Sequence, residues 1–424
     1  MNGSPLLSAL MNAPRRNFIK TIATVASLPV LGSVSALGRD AGGQNKFEHI
    51  VIYRDPRFYC IEPSVLRRPD GELLLAFRRA PDRRAFGERS PGGHIDCASQ
   101  LVMVRSTDNG RTWSETPELI YSHPFGGTQG GSLIQLRDGP IVINSYAWLP
   151  LRTDMIETVP PKVTTRHGGK NNFLGGYVMR SESGGHSWKG PLKPTLMPHP
   201  GAVDAFGDRI SMFNRGAMCE GRNGRLYWAA RSCVDVMDTR HYELHLLTSD
   251  DQGVTWERAC RIAKESNISF TETSLIETPA GDLVGFVRAR RLEQRVTDGS
   301  EGTLQGVPLD DHIAVVVRST DGGKSFQWEE AGIFGFPFHA LRLADGTVWL
   351  TYGYRKKPFG VRARLLNPEC TNISDAPEIV LRDDGGTSDL GYPWSTLLSD
   401  GRILTIYWMN LNDGLRHIAG TIVG

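Results

Sequence analysis

The stretch RSTDNGRTW, residues 105–113, combines an acid, hydroxyl groups, glycine and an indole, side chains that an active site could use. Near-copies follow at RSESGGHSW, TSDDQGVTW and RSTDGGKSF. The aspartate can accept hydrogen bonds from backbone N–H groups of its own turn. The glycine can take the positive φ that such a turn needs, and the tryptophan supplies a large apolar body. A motif of this kind, written four times, indicates a structural turn, so the chemistry must lie elsewhere.

Six other segments share a second pattern, a turn dipeptide followed by a short β-rich strand. They are PDGELLLAFRR, RDGPIVINSYA, RNGRLYWAARS, PAGDLVGFVRA, ADGTVWLTYGY and SDGRILTIYWM. Asp-Gly or Asn-Gly before an apolar run is a hairpin signal. One such hairpin cannot bury both of its faces, whereas six arranged radially can. The sequence therefore predicts an all-β fold, a six-bladed β-propeller.

The composition excludes several classes of protein. The chain has 424 residues, 22% of them charged, and a formal net charge of +2, which gives no reason to expect nucleic acid or an anionic membrane as a partner. Its six cysteines are scattered, with no CxxC or CxxH pair, so a zinc site is not expected.

The N-terminal segment differs from the rest of the chain. Arg15 and Arg16 are followed by Phe18, a lysine and an apolar stretch that ends in small residues near Ala36. This is the form of a twin-arginine export signal, and the apolar part is short for a membrane span. We expect a cleaved signal over 1–38, a linker over 39–46 and a single domain over 47–424. The mature protein is expected to be periplasmic or secreted, with no membrane insertion.

The repeated turn resembles the Asp-box, or BNR repeat, of the sialidase (neuraminidase) superfamily. The pattern Ser-x-Asp-x-Gly-x-Thr-Trp is complete at Ser106 and Ser249 and weaker at Ser319 and Ser181. The resemblance covers essentially all of residues 47–424. In that family the box is a turn on the rim of a propeller, away from the catalytic mouth. The resemblance thus implies a structural role for Asp108, Trp113, Asp251, Trp256 and Asp321.

Sialidases act on a sugar whose anomeric carbon carries a carboxylate, which would repel an anionic nucleophile. They use a tyrosine instead, with a glutamate as its base and an aspartate as acid/base. The resemblance implies that Tyr392, in SDLGYPWSTLLSDGRILTIYW, is the nucleophile and that Glu272, in FTETSLIETPAGDLVGFVRAR, is its base. It implies that Asp96, in GGHIDCASQLVMVRSTDNGRTW, is the acid/base, and pairing with His94 could tune its pKa.

Three arginines hold the substrate carboxylate in sialidases, since a guanidinium matches a carboxylate in shape and charge. Arg288 follows Glu272 at nearly the family's distance and is preferred to Arg290, which shares its strand face. In the fifth repeat Arg355 is the first choice and Arg362 the second. His339 is expected near the same mouth.

The sequence departs from the family at the first arginine. In CIEPSVLRRPDGELLLAF, Ile61 occupies the place of that arginine and Glu62 follows it. A carboxylate there would repel a substrate carboxylate by roughly 1–4 kcal/mol at ~4 Å. Arg54, Arg78 or Arg79 could compensate from another strand.

The resemblance implies an exo-acting, retaining glycoside hydrolase that removes a terminal sugar from a glycan and needs no metal or cofactor. Two alternatives stay open. The same scaffold could act on a different terminal sugar, a uronic acid or a neutral pyranoside, with Glu62 as a catalytic or hydroxyl-binding group. Alternatively, the chain could be a non-catalytic carbohydrate-binding propeller.

Overall fold

The computed structural model describes residues 47–87, 93–151, 165–166, 171–235, 238–292, 303–304 and 307–424. The expected export signal, 1–38, and the linker, 39–46, lie outside the described residues. Within these ranges no helix has the length and apolar character that crossing a bilayer requires.

The first three blades follow one another along the chain, each an antiparallel sheet. Blade 1 contains β2 (Phe58–Arg67), β3 (Leu73–Pro81), β4 (Gln100–Ser106) and β5 (Glu118–Tyr121). Blade 2 contains β6 (Gly127–Thr128), β7 (Ser132–Gln135), β8 (Ile141–Pro150), β9 (Thr165–Arg166), β10 (Asn171–Ser181) and β11 (Lys189–Leu192). Blade 3 contains β12 (Cys219–Glu220), β13 (Leu226–Asp235), β14 (Asp238–Ser249) and β15 (Glu257–Ala263).

The remaining three blades repeat this arrangement. Blade 4 contains β16 (Ile268–Glu277), β17 (Leu283–Arg291), β20 (His312–Ser319) and β21 (Gln327–Glu330), with the small hairpin β18 (Thr303–Leu304) and β19 (Val307–Pro308) inserted. Blade 5 contains β22 (Phe338–Arg342), β23 (Val348–Tyr354), β24 (Gly360–Leu366) and β25 (Ile379–Arg382). Blade 6 contains β26 (Gly391–Leu397), β27 (Ile403–Met409), β28 (His417–Val423) and β1 (Phe47–Tyr53). Two short 3₁₀ turns, Arg83–Phe86 and Leu309–Asp311, lie in loops.

The six predicted hairpins are the inner hairpins of the six blades, which confirms the predicted β-propeller. Each has its turn glycine at a φ between 80° and 109°, a conformation that costs other residues energy. These glycines are Gly71, Gly139, Gly224, Gly281, Gly346 and Gly401.

The ring is closed by the N-terminal strand. β1 pairs antiparallel with β28, from Phe47 opposite Val423 to Tyr53 opposite Ile418, so blade 6 contains both ends of the described chain. This pairing joins the first and last described strands in one sheet and so closes the propeller.

The core lies between neighbouring blades. The tryptophans of the inner hairpins are almost completely buried there: Trp148, Trp228, Trp349 and Trp408. Apolar side chains on both faces of each hairpin explain why the strands read as nearly continuous hydrophobic runs.

The four repeated turns connect the third and fourth strands of blades 1 to 4. In the first, Asp108 accepts hydrogen bonds from the Thr112 backbone N–H at 2.9 Å and from the Thr112 and Ser106 hydroxyls at 2.6 and 2.9 Å. Trp113 Nε1 donates to the Gly110 carbonyl at 3.1 Å. Asp251 and Asp321 make the corresponding bonds in their own turns, and Trp256 repeats the tryptophan contact.

Each turn also packs against the preceding blade. A Cβ placed on the turn glycine would lie 2.7–3.6 Å from an apolar side chain of that blade. The pairs are Gly110 with Leu404, Gly185 with Met103, Gly253 with Val142 and Gly323 with Leu246. Each repeated turn therefore packs its own blade against the preceding one.

Removing the aspartate of one turn is expected to weaken the ring. Asp108→Ala leaves donors of Ser106 and Thr112 without their acceptor, and we expect a loss of about 1 kcal/mol of stability at pH 7, as for a lost helix cap. The hydrogen bonds of Thr112, above all that of its side chain, lower the pKa of Asp108 from 3.8 to about 2.

Because the folded pKa is the lower one, this stabilisation is complete above pH 3.8 and is lost as the pH falls towards 2. The melting temperatures of wild type and Asp108→Ala, measured between pH 7 and pH 2, should converge at the acid end. Asp108→Asn, which keeps an oxygen but no charge, is the control and should lie between them. A difference that stays constant with pH would contradict this explanation.

Candidate active site

The six inner hairpins place twelve residues around the axis in two equivalent positions. One position lies nine residues before the turn glycine and contains Glu62, Gly130, Arg215, Glu272, Pro337 and Tyr392. The other lies seven residues after it and contains Arg78, Tyr146, Arg231, Arg288, Gly353 and Trp408. Contacts between residues of different blades, described below, show that these positions converge.

The innermost strands are irregular at the first of these positions. The register shifts between Ile61 and Ser64 in β2, between Phe270 and Thr273 in β16, and between Gly391 and Trp394 in β26. Such bulges re-aim side chains and are frequent beside active sites.

Two of the side chains at these bulges also have strained backbones. Glu62 has a φ of 57° and Tyr392 a φ of 49°. Non-glycine residues in this region cost free energy, and they concentrate at functional sites.

A hydrogen bond between blades 4 and 6 forms the centre of the site. The Tyr392 hydroxyl donates to Glu272 Oε1 at 2.6 Å, and both residues are buried. The Tyr392 ring stacks on Trp408 with centroids 4.7 Å apart. The predicted contact between this tyrosine and this glutamate is therefore present.

The surrounding charges determine which member of the pair holds the proton. Burial favours the neutral acid of Glu272, but the charges of Arg288 and Arg231 and the hydrogen bond from Tyr392 lower its pKa below the ordinary value. Burial and the charge of Glu272 raise the pKa of Tyr392 well above 10. At neutral pH the pair is thus a phenol that donates to a carboxylate.

Both arginines preferred from the sequence lie at this pair. Arg288 Nη1 lies 3.5 Å from the Tyr392 hydroxyl and 3.6 Å from Glu272 Oε1. The Arg355 guanidinium is 5.9 Å from the centre of the Tyr392 ring, and its Nη1 donates to the Ser388 carbonyl at 3.0 Å.

Three further buried arginines surround the same centre. The Arg215 guanidinium lies 4.5 Å from the centre of the Tyr392 ring, and its Nη2 donates to the Pro63 carbonyl at 2.7 Å. Arg231 lies 4.3 Å from the Phe213 ring. Arg78, which is 0% exposed, donates to the Thr128 carbonyl at 3.2 Å.

Sequence reasoning named Arg78 only as a compensating charge and missed Arg215 and Arg231. The sequence could have indicated two of these arginines as site residues, because Arg78 and Arg231 stand seven residues after their turn glycines, as Arg288 does.

Four of these five arginines lack an acidic partner. Among the described residues no carboxylate lies within 4 Å of the guanidinium groups of Arg78, Arg215, Arg231 and Arg355. One nitrogen of each is buried without a hydrogen bond. Buried charges are costly unless they are paired. The site is therefore suited to a ligand that brings negative charge with it.

Glu62 lies in this cationic surrounding, buried in the wall between blades 1 and 2. Its Oε2 accepts a hydrogen bond from the Gly130 backbone N–H at 2.7 Å. Burial lowers the pKa of Arg78 and of Arg215, and the charge of Glu62 opposes that effect at both. Its carboxylate is thus placed to balance charge within the site.

The structure does not show the expected pairing of Asp96 with His94. Asp96 Oδ2 accepts a hydrogen bond from Arg83 Nε at 2.9 Å, and its Oδ1 accepts one from the Ala98 backbone N–H at 2.9 Å. His94 Nε2 lies instead 3.3 Å from Asp389 Oδ1. Asp96 is buried within its own loop, where it forms a turn, and no described contact joins it to Tyr392.

Two other expected substrate ligands have structural contacts. Arg362 donates to the carbonyls of Val361 and Pro358 at 3.2 Å and to that of Arg382, so it holds the outer strands of blade 5 together and does not join the centre.

His339 stacks on Trp394 with centroids 4.2 Å apart, and its Nδ1 accepts a hydrogen bond from the Ser395 N–H at 3.1 Å. Burial and the charge of Arg215 lower the pKa of His339 to about 3, so it is neutral and fixed between blades 5 and 6. Within the described part of the chain, no three His, Cys, Asp or Glu side chains are grouped to hold a metal ion.

No protein-family model matches the chain, and no curated protein matches it. Among solved structures, the chain is similar to the microbial sialidase Hz136 from Hadza samples, with 15% identity, a TM-score of 0.56 and coverage of 86% of this chain and 65% of that chain. An α-L-arabinofuranosidase from Fusarium graminearum, solved with an iminosugar inhibitor, has 15% identity and a TM-score of 0.55 over 90% of this chain and 98% of that chain. At this identity the similarity shows a shared fold.

A much higher similarity links the chain to a protein of unknown function from Dyadobacter fermentans DSM 18053. The two are 46% identical, with a TM-score of 0.79, over 89% of this chain and 97% of that chain. The chain therefore belongs to the same family as the Dyadobacter fermentans protein, a family of six-bladed propellers with the sialidase-like fold.

Proposed function

We propose that the protein is an exported, exo-acting glycoside hydrolase that removes an acidic terminal sugar with retention, as a sialidase does. The observation that carries this proposal is the 2.6 Å hydrogen bond from Tyr392 to an ionised glutamate, surrounded by buried arginines. A tyrosine and a neighbouring base within hydrogen-bond reach are the arrangement that an activated nucleophile requires.

The proposed first step forms a bond between Tyr392 Oη and the anomeric carbon. The phenolic proton passes to Glu272 Oε1 while the bond to the leaving oxygen breaks. Water then attacks the same carbon, the bond to Oη breaks, and the phenolate recovers its proton from Glu272. A neutral phenol suits a substrate whose carboxylate would repel an anionic nucleophile. The remaining requirement is one acid/base group that protonates the leaving oxygen in the first step and takes a proton from the water in the second.

The buried arginines support an acidic sugar over a neutral one. Arg288 and Arg355 both lie against Phe336, at 4.8 and 5.6 Å from its ring, so one substrate group can contact both. A carboxylate there would pair the charge of Arg355, which has no carboxylate within 4 Å among the described residues, and would add a second partner to Arg288, which contacts Glu272. Sialic acid is the first candidate, and a uronic acid is the second because Ile61 occupies the place of the first sialidase arginine and Glu62 follows it.

Export through the twin-arginine pathway is part of this proposal. The supporting observation is the order of Arg15, Arg16, Phe18 and an apolar stretch in the sequence. A periplasmic or extracellular location would give the enzyme access to the glycans of other organisms.

Removal of the nucleophile is the first test. Tyr392→Phe should lower kcat by at least about a thousandfold, because no covalent intermediate can then form. The matched control is Tyr407→Phe, another buried tyrosine of blade 6, which bonds Thr421 at 2.7 Å and should retain near-normal turnover. Sugar binding that persists in Tyr392→Phe, with no turnover by the wild type, would favour a non-catalytic binding propeller.

The sugar itself is identified by a panel of 4-methylumbelliferyl glycosides. We expect release of fluorophore from the α-sialoside or from a uronide and none from neutral pyranosides, since only acidic sugars pair the buried guanidinium groups. Exclusive turnover of a neutral glycoside would contradict the charge argument.

The carboxylate contact is tested with one arginine. Arg355→Met should raise KM for the acidic glycoside about 10- to 100-fold, the effect of losing a charged hydrogen bond of 1.5–3 kcal/mol. Arg362→Met, in the same blade, is the matched control and should leave KM unchanged in the folded protein. Equal KM effects of the two substitutions would remove Arg355 from the binding site.

A further inference from the structure

Resting on the proposed function, we infer that His94, oriented by Asp389, is the acid/base residue that protonates the leaving oxygen. Asp96 was the expected donor, but both of its carboxylate oxygens accept hydrogen bonds, from Arg83 and from a backbone N–H. Both oxygens of that carboxylate are therefore engaged by Arg83 and by its own loop, and neither is free to contact a leaving oxygen.

His94 lies two residues before Asp96 on the same loop, and its ring is less enclosed. Its side chain is 31% exposed, so solvent and a substrate can reach it. Its ring lies 6.2 Å from the ring of Trp408, the tryptophan on which Tyr392 stacks at 4.7 Å. Gln129 Nε2 donates to the His94 carbonyl at 2.8 Å and fixes the backbone at this point.

Asp389 is held rigidly in position for such a histidine. Its Oδ2 accepts from the Tyr59 hydroxyl at 2.9 Å and from Arg416 Nε at 3.0 Å, which leaves Oδ1 facing His94 Nε2 at 3.3 Å. Its backbone carbonyl accepts from Trp408 Nε1 at 3.0 Å. Asp389 also stands three residues before Tyr392 in the chain.

The charges around Asp389 keep it ionised. Burial would raise its pKa, but the nearby His94, together with the charges of Arg416 and Arg355, lowers it below the ordinary value. An ionised carboxylate beside one ring nitrogen orients a histidine and favours the tautomer that has its proton on that nitrogen. The groups that face His94 are therefore Asp389, Tyr59 and, through Asp389, the two arginines.

The proton transfers balance over the two steps. In the first, protonated His94 donates from Nδ1 to the glycosidic oxygen as that oxygen leaves, while Tyr392 bonds to the anomeric carbon and Glu272 takes the phenolic proton. In the second, neutral His94 Nδ1 takes a proton from the attacking water, the Tyr392 bond breaks, and Glu272 returns its proton. His94 ends the cycle protonated, as it began.

The test compares leaving groups of different acidity. With the methyl glycoside of the sugar that the panel selects, His94→Gln should lower kcat/KM about 100-fold or more, the usual size of general acid catalysis. With the 4-nitrophenyl glycoside, whose leaving group needs no proton, the same variant should lower the rate of enzyme glycosylation less than about 10-fold. Azide should restore turnover of that substrate and give the glycosyl azide. The alkaline limb of the pH profile of kcat/KM should disappear.

Two aspartate variants separate His94 from Asp96. Asp389→Asn should show the same dependence on the leaving group in weaker form, because it removes only the orienting charge, whereas Asp96→Asn should affect both substrates equally. Circular dichroism and melting temperature establish that each variant is folded.

Equal losses by His94→Gln on both substrates, or azide rescue of Asp96→Asn instead, would overturn the assignment of His94 and leave the tyrosine mechanism standing. Failure of the proposed function would give a different result: the wild type would not turn over any acidic glycoside, or Tyr392→Phe would retain its turnover.

Discussion

The hydrogen bond from Tyr392 to Glu272 joins blade 6 to blade 4, so it depends on closure of the ring. Blade 6 is completed by β1, and the pairing of β1 with β28 fixes the sheet that carries Tyr392. The four repeated turns, three with an aspartate and one with Ser183, act on the same requirement from the opposite end of the blades, where each packs against the preceding blade. A buried pair with a 2.6 Å contact can thus be built from segments 120 residues apart because the scaffold between them is rigid.

Electrostatics then decide what this pair can do. Buried arginines keep Glu272 ionised, and the same burial keeps Tyr392 a phenol until a substrate arrives. Among the described residues, Arg78, Arg215, Arg231 and Arg355 have no carboxylate within 4 Å, whereas Arg288 contacts Glu272. Buried charge without a partner is costly, and a negatively charged ligand of the kind we propose would offset that cost.

The fold was predictable because six turn signals recur at the starts of apolar strands, and every one is an inner hairpin in the structure. Tyr392, Glu272 and Arg288 were predicted from the resemblance to sialidases, and the structure brings the three side chains together. Asp96 and Arg362 were harder to place, since both follow irregular loops where local hydrogen bonds decide which way a side chain faces. The contact of His94 with Asp389 joins segments 295 residues apart, and no local pattern could indicate it.

Blade 1 brings an acidic side chain into the ring of equivalent positions. Glu62 stands nine residues before its turn glycine, where blades 4 and 6 carry Glu272 and Tyr392, so an acid has entered the ring at an equivalent position. Arg78, on the adjoining strand, is fully buried, and the charge of Glu62 opposes the effect of that burial. An acid and a buried cation thus lie on adjoining strands at this edge of the site. For the acidic sugar that we propose, this edge offers a hydrogen-bond acceptor as well as cations, which a sugar with both hydroxyl and carboxylate groups can contact.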